Sequence, residues 1–324
     1  MLLPIFAVVG GFVLLVWGAE RFVMGASATA RNLGVSPMII GLTIVALGTS
    51  APEMVVSAVA SWQGNAGLAF GNAIGSNITN IALVLGTTAL IVPLQIHSDT
   101  LRRELPILLL IMAYVLSLIL DDDLNRGDGL LLLLGLGVMV YWLVGLGLRS
   151  RGADPIVQEY EHEIPEHMPV PRALTWLLAG MALLFVSSRI LVWGAVSIAQ
   201  HLGVSDLVIG LTVIAVGTSL PELAASIMGA LKDEPDIAIG NVIGSNMFNL
   251  LGVLAMPGLL APGMIGDGVL GRDYPWMVGL TLALCLMAYG IRGPGRIGRS
   301  GGALLVVAYG AYLYILYRGT LGGA

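Results

Sequence analysis

Long apolar runs fill this chain, separated by short polar breaks, and the runs are continuous rather than alternating residue by residue. Continuous runs of this length read as helices, and helices apolar on every face read as membrane spans. Gly129 to Leu148 is 20 residues without a charge, enough to cross a hydrocarbon core of about 30 Å at about 1.5 Å per residue. Ala173 to Leu202 reads as one long, tilted helix containing Arg189. Pro106 to Leu120, extended across its polar flanks, Tyr274 to Ile291 and Ala303 to Tyr317 complete the plain set. The run from Leu2 to Trp17 has no basic segment before it and continues into Glu20 and Arg21. It is therefore read as a retained helix to about Asn32, not as a signal peptide.

Two further regions, roughly 38–90 and 207–260, are apolar but broken by Gly, Pro, Ser, Thr and Asn. Each is long enough for two spans joined by a polar link, at Gln63 to Gly67 and at Lys232 to Asp236. The expectation is an all-α membrane protein of about ten transmembrane helices, five on each side of a hydrophilic stretch from Arg149 to Arg172. That stretch carries Asp154, Glu159, Glu161, His162, Glu163, Glu166 and His167. It is read as a solvated connecting loop, with a regulatory metal site as the other reading.

A repeat organises these spans. The segment GLTIVALGTSAPEMVVS from Gly41 recurs as GLTVIAVGTSLPELAAS from Gly210, and GNAIGSNITN from Gly71 recurs as GNVIGSNMFN from Gly240. The offset is 169 residues throughout, and 18 of the 40 positions from 41 to 80 are identical in 210–249. The retained residues are Thr, Ser, Pro, Glu and Asn, so shared apolar composition is not the cause. Five spans separate equivalent points, and five is odd. The copies therefore enter the bilayer from opposite sides, as inverted repeats: 1–148 with motif 41–80, and 173–324 with motif 210–249, joined by the linker 149–172. Basic residues in the expected loops fall nine on one side and three on the other. That places the linker in the cytoplasm and both termini outside.

Composition narrows the function classes. Hydrophobic residues make up 57% of the 324 and charged residues 11%, with a mean hydropathy of +0.91; soluble domains carry roughly 25% charged residues. A cytosolic globular enzyme, a nucleic-acid binder and a disordered chain are excluded, and a net charge of −5 offers no basic patch for a polyanion. Cys285 is the single cysteine, so neither an intrachain disulfide nor a cysteine metal cluster forms.

Glu53 and Glu222 stand inside apolar spans, where an ionised carboxylate costs at least about 2.5 kcal/mol on insertion scales. Neither motif supplies a lysine or arginine at matching depth. Two nearby carboxylates repel unless a cation or protons neutralise them. Thr49, Glu53 and Ser57 are spaced by four, as are Thr218, Glu222 and Ser226, which puts each set on one helix face. Pro52 and Pro221 each clash with the carbonyl four residues earlier, at Gly48 and Gly217, and predict a kink. Asn72, Ser76 and Asn80 again step by four, and so do Asn241, Ser245 and Asn249. Each asparagine has two readings, ligand or interhelical hydrogen bond; Asn77 and Asn246 are assigned to the second. Gly71, Gly75, Gly240 and Gly244 permit close helix approach. Carboxylate, hydroxyl, amide and carbonyl oxygens without His or Cys form a hard-cation set.

At these residues the chain resembles the sodium/calcium exchanger family of the Ca2+/cation antiporter superfamily, in its compact prokaryotic form. The doubled GTSxPE and GSNxxN motifs carry the resemblance. It implies that Glu53, Glu222, Thr49 and Thr218 form a Ca2+ site. It further implies that Ser50, Ser76, Ser219, Ser245 and the Ala46 and Ala215 carbonyls build flanking Na+ sites, with Asn80 and Asn249 at the remaining central position. Potassium-dependent relatives carry Asp where this chain has Asn249, which argues against K+ co-transport. The expected function is electrogenic antiport of Na+ for Ca2+ by alternating access. The helices 2–32 and 173–202 would slide against the motif bundle. No catalytic residue and no cofactor are expected, and the partners are inorganic cations and the lipid bilayer of a prokaryotic plasma membrane. The alternatives are a proton/Ca2+ antiporter using the same glutamates and a Na+-coupled carrier of an organic solute. A membrane enzyme would need a nucleophile–base pair that the chain does not offer.

Overall fold

The computed structural model describes residues 2–33, 46–96, 99–149, 168–232, 234–289 and 295–322. The acidic and histidine-bearing part of the linker, 154–167, lies outside them, and with it the alternative reading of a regulatory metal site.

The chain is a helical membrane protein. Leu2–Asn32 forms α1. Ala46–Thr49 (α2) and Ala51–Trp62 (α3) follow, then Ala66–Ile91 (α4), Asp99–Ile119 (α5) and Arg126–Arg149 (α6). After the linker come Val170–Leu202 (α7), Asp206–Thr218 (α8), Leu220–Leu231 (α9) and Pro235–Leu260 (α10). Tyr274–Tyr289 (α11) and Arg299–Gly322 (α12) close the chain. Six of these helices, α1, α4, α6, α7, α10 and α12, are individually long and apolar enough to cross a bilayer. The pair α8–α9, bent by 40° at Ser219, makes a seventh as one broken span. The remaining helices are shorter over the described residues: α5 carries Arg103 and Glu104 near its start and runs through Pro106, α11 is described over 16 residues, and α2–α3 is described from Ala46 and interrupted at Ser50.

Helix boundaries keep the repeat register. α3 and α4 begin at 51 and 66, and their counterparts α9 and α10 at 220 and 235. Inside α4 a π-helical stretch spans Asn80–Leu85, and inside α10 one spans Asn249–Val253. Four two-residue strands also form: β1 (Leu94–Gln95), β2 (Asp123–Leu124), β3 (Gly263–Met264) and β4 (Arg296–Ile297). β1 pairs antiparallel with β4, and β2 with β3. Each pair joins the two halves of the chain, one at each end of the sequence relationship, since β1 and β3 are 169 residues apart.

The long helices α1 and α7 lie antiparallel. Gly11 abuts Leu191, Gly18 abuts Leu183, and Gly25 abuts Ala173 and Leu177. A Cβ on Gly25 would sit 2.3 Å from the Leu177 nitrogen, and one on Gly180 2.4 Å from the Phe22 nitrogen. Only glycine permits this approach, as in other small-residue membrane interfaces. The core of the molecule is built on α4 and α10, whose spans are the most enclosed. α4 meets α8 backbone to backbone, where a Cβ on Gly71 would lie 2.3 Å from the Leu207 carbonyl oxygen.

Candidate cation site

Both motifs break their helices outright. Ser50 (φ −83°, ψ 0°) separates α2 from α3, and Ser219 (φ −84°, ψ 7°) separates α8 from α9. The expected mid-helix kink is thus replaced by a break. Pro52 and Pro221 occupy the first turn of the following helix, where a missing N–H leaves no hydrogen bond unmade. The next helix starts with Met54 N–H donating to the Ser50 carbonyl (3.1 Å) and Leu223 N–H to the Ser219 carbonyl (3.0 Å). Glu53 and Glu222 therefore stand in the first turns of α3 and α9, where the helix dipole favours negative charge.

The break changes which side chains share a face. Thr49 belongs to the segment before it and Ser57 to the segment after it. Ser57 donates to the Ala69 carbonyl (3.4 Å) and accepts from the Asn72 amide (2.9 Å). Ser226 likewise donates to the Ala238 carbonyl (3.3 Å). Both serines tie helix pairs within their own half. They follow Glu53 and Glu222 by four residues within α3 and α9, whereas Thr49 and Thr218 stand before the breaks, so the expectation of one unbroken helix face for all three residues is corrected. Asn72 is paired at both ends: its amide also donates to the Glu53 carbonyl (3.1 Å), and its oxygen accepts from Thr218 (3.1 Å). Asn241 accepts from Thr49 (3.1 Å) in the mirrored contact. Asn72 is an interhelical brace, the second of its two readings.

The halves interlock through hydroxyls. Thr49 and Ser245 are 3.0 Å apart, and Ser76 and Thr218, their counterparts, 3.5 Å. Ser245 donates to Glu222 Oε1 (3.2 Å), and Thr49 faces the same carboxylate. Thr218 and Ser219 face Glu53, and the two carboxylates are near enough to interact electrostatically. The Asn80 amide donates to the Asn246 oxygen (3.1 Å), and the Asn246 amide to the Asn77 carbonyl (3.4 Å), so α4 and α10 are sewn together at the start of the π-helical stretch of α4.

What stays unpaired defines the centre. Glu53, Glu222, Ser50, Asn80 and Asn249 have no solvent exposure, and Ser219 has 1%. Among the described residues no hydrogen bond reaches either oxygen of the Glu53 carboxylate, Glu222 Oε2, the Ser50 and Ser219 hydroxyls, the Asn80 oxygen, or either side-chain atom of Asn249. A buried polar atom without a partner costs free energy, and native structures contain few. Here seven unpaired oxygens cluster on residues of the two motifs, which suits a dehydrated hard cation. The Ala215 carbonyl accepts from the Ser219 N–H (3.1 Å) and from the Thr218 hydroxyl (3.4 Å). Ala46, 169 residues earlier, lies in α2.

Two residues that the pattern of the chain does not single out cover the breaks. A Cβ on Gly217 would lie 1.8 Å from the Phe12 ring, and one on Gly48 would lie 2.3 Å from Val23 Cγ2. Both belong to α1. Apolar residues in an apolar span carry no signal of such a role.

The comparisons with known proteins agree with this architecture. Residues 3–145 and 172–318 match the family described as sodium/calcium exchanger protein. A protein of Alkalimonas amylolytica, provisionally named antiporter CaxA, is 51% identical over 98% of this chain and 99% of its own. The sodium/calcium exchanger MaX1 of Methanosarcina acetivorans is 31% identical over 95% and 96%. A solved structure of the sodium-calcium exchanger NCX_Mj, soaked with 10 mM Na+ and 10 mM Sr2+, superposes with a TM-score of 0.68 at 33% identity, covering 97% of this chain and 98% of that one. With an integral, multi-pass helical fold and a match over most of its length, this chain belongs to the sodium/calcium exchanger family of membrane cation antiporters.

Proposed function

We propose that the protein exchanges Na+ for Ca2+ across a membrane by alternating access, and that Glu53 and Glu222 form one shared seat for both ions. The carrying observation is that two fully buried carboxylates, one from each motif, face each other's hydroxyl residues with their remaining oxygens unpaired. Thr49, Thr218, Ser76 and Ser245 complete the centre, with Ser50, Ser219 and the Ala46 and Ala215 carbonyls on its flanks and Asn80 and Asn249 at the start of the π-helical stretches. Two negative charges balance one Ca2+. Three Na+ would leave one positive charge, so a 3:1 exchange is electrogenic. Asn249 adds no third charge that K+ would neutralise.

In this reading α2–α3 and α8–α9 each count as one broken span, giving ten spans as two inverted five-helix repeats, 1–148 and 173–324. The basic residues then place the linker 149–172 in the cytoplasm of a prokaryotic cell and both termini outside. α1 and α7, locked together through their glycines, slide as a pair over the motif bundle. The cross-half contacts of Thr49, Thr218 and the strand pairs support the symmetry.

The test is Ca2+ uptake into proteoliposomes driven by an outward Na+ gradient. Uptake that is lost in Glu53→Gln and Glu222→Gln, with the protein still folded, supports the assignment. Uptake driven equally by a pH gradient without Na+ selects protons as the coupling ion, and unchanged uptake in both variants overturns the site.

A further inference from the structure

A cavity of about 810 Å³ opens on the outer surface of the α1–α7 pair, away from the cation centre. Leu3, Phe6 and Ala7 of α1, Arg189, Ile190 and Trp193 of α7, and Gln63 of the α3–α4 link line it. Arg189 is its only ionisable side chain. Among the described residues Arg189 makes no ion pair and no hydrogen bond, and it is exposed. Its depth follows from α7 itself. The sixteen residues from Ala173 to Ser188 carry no charge and rise about 24 Å at about 1.5 Å per residue. Arg172 and Arg189 therefore bracket most of a hydrocarbon core of about 30 Å, and Arg189 stands at the headgroup level on the side where Gln63 lies. Trp193 beside it, half-exposed, belongs to the same interfacial zone, where tryptophan is enriched.

We propose that this cavity binds one anionic phospholipid. Its phosphate would meet the Arg189 guanidinium, a group suited to bidentate phosphate contact, with the Gln63 amide beside it. An acyl chain would lie against Leu3, Phe6, Ile190 and Trp193. Charge complementarity selects the anionic class: the cavity holds one uncompensated positive charge, and a zwitterionic headgroup brings its own cation. The repeat shows that the feature belongs to one side. The residue 169 positions before Arg189 is Glu20, and the next, Arg21, is occupied by the rings of Trp176 (4.9 Å) and Trp17 (5.7 Å). The lipid would contact both long helices and the link of the motif bundle at once, where it would bias their relative position.

The experiment uses the full chain in phosphatidylcholine bilayers containing, at equal mole fraction, either dibromo-phosphatidylglycerol or dibromo-phosphatidylcholine. Bromine quenches tryptophan on contact. The chain has six tryptophans, so the Trp193 component is read as the difference between the wild type and Trp193→Phe. One basic group near the surface corresponds to roughly fivefold enrichment of the anionic lipid. Stronger quenching of Trp193 by the anionic lipid, abolished in Arg189→Gln and kept in Arg189→Lys, is expected. Equal quenching of Trp193 by both lipids in the wild type overturns the proposal, and so does an Arg189→Gln preference equal to that of the wild type. The wild-type comparison decides by itself if Arg189→Gln does not fold.

Discussion

The ring of Phe12 rests on Gly217, one residue before Thr218 and two before the break at Ser219. An added Cβ there would fall 1.8 Å from the ring carbons. Val23, further along the same helix, rests on Gly48 at the mirrored break. One helix thus touches both halves of the candidate site. In the proposed alternating access, a displacement of α1 along its axis would alter the cover of both breaks.

Gly217→Ala tests that contact. The methyl group cannot be accommodated without moving the Phe12 ring, and overpacking costs typically about 1–3 kcal/mol. Sodium-driven Ca2+ uptake should fall severalfold, with a lower thermal midpoint. Gly10→Ala, on the same α1 but with nothing within 4 Å of its added Cβ, should leave both unchanged. Pairing Gly217→Ala with Phe12→Ala should restore part of the uptake, because the smaller residue vacates the space.

Calcium should stabilise the protein through its two buried acids. A ligand bound only by the folded state at about 100 times its Kd adds about 2.7 kcal/mol. The thermal midpoint of the wild type in detergent should therefore rise with Ca2+ concentration. In Glu53→Gln and Glu222→Gln the rise should vanish. In ion-free buffer these variants should be at least as stable as the wild type, since each removes a buried charge that no cation neutralises. A Ca2+-dependent rise of undiminished size in either variant would remove that glutamate from the site.

The hydroxyls that cross between the halves should set affinity. Thr49 bonds Asn241 and Ser245, and Thr218 bonds Asn72 and lies against Ser76. Valine keeps the shape and deletes the oxygen, leaving buried partners unpaired at about 1–3 kcal/mol each. Thr49→Val and Thr218→Val should each raise the Ca2+ concentration for half-maximal uptake by about tenfold or more, since about 1.4 kcal/mol is a factor of ten. Ser57→Ala and Ser226→Ala, whose hydroxyls bond carbonyls within their own halves, should change stability more than this concentration. Titrating uptake against Ca2+ distinguishes the two pairs.

The contrast between Thr49 and Ser57 shows what the chain discloses by itself. Hydrophobic runs, the 169-residue repeat and the buried acids are local or pairwise features of the string, and α1, α7 and the motif positions follow from them. The four-residue spacing of Thr49, Glu53 and Ser57 misleads in its first step, because it assumes an unbroken helix, and Ser50 separates Thr49 from Glu53 while Glu53 and Ser57 share α3. Pro52 signals a disturbance but not its kind: the same residue kinks a helix interior or begins a new helix. The π-helical stretches at Asn80–Leu85 and Asn249–Val253 have no marker at all, since NIALVL and NLLGV contain no helix breaker before Gly252. The two-residue strands and the seat of Phe12 arise only when distant segments meet.

Asn249 carries the last prediction. It is fully buried, and both its side-chain polar atoms lack a hydrogen-bond partner among the described residues. The Leu254 N–H donates to its carbonyl (2.9 Å), which opens the π-helical stretch of α10, and such stretches recur at functional sites. Aspartate is nearly the same size, so Asn249→Asp adds charge without altering packing. Three carboxylates would then face a cargo of two positive charges, and the third would demand another cation. Uptake by the wild type should be indifferent to K+, whereas uptake by Asn249→Asp should be stimulated by K+ or by mild acid. A variant that matches the wild type in both responses would place position 249 outside the field of the two glutamates and return the balance of charge to Glu53 and Glu222 alone.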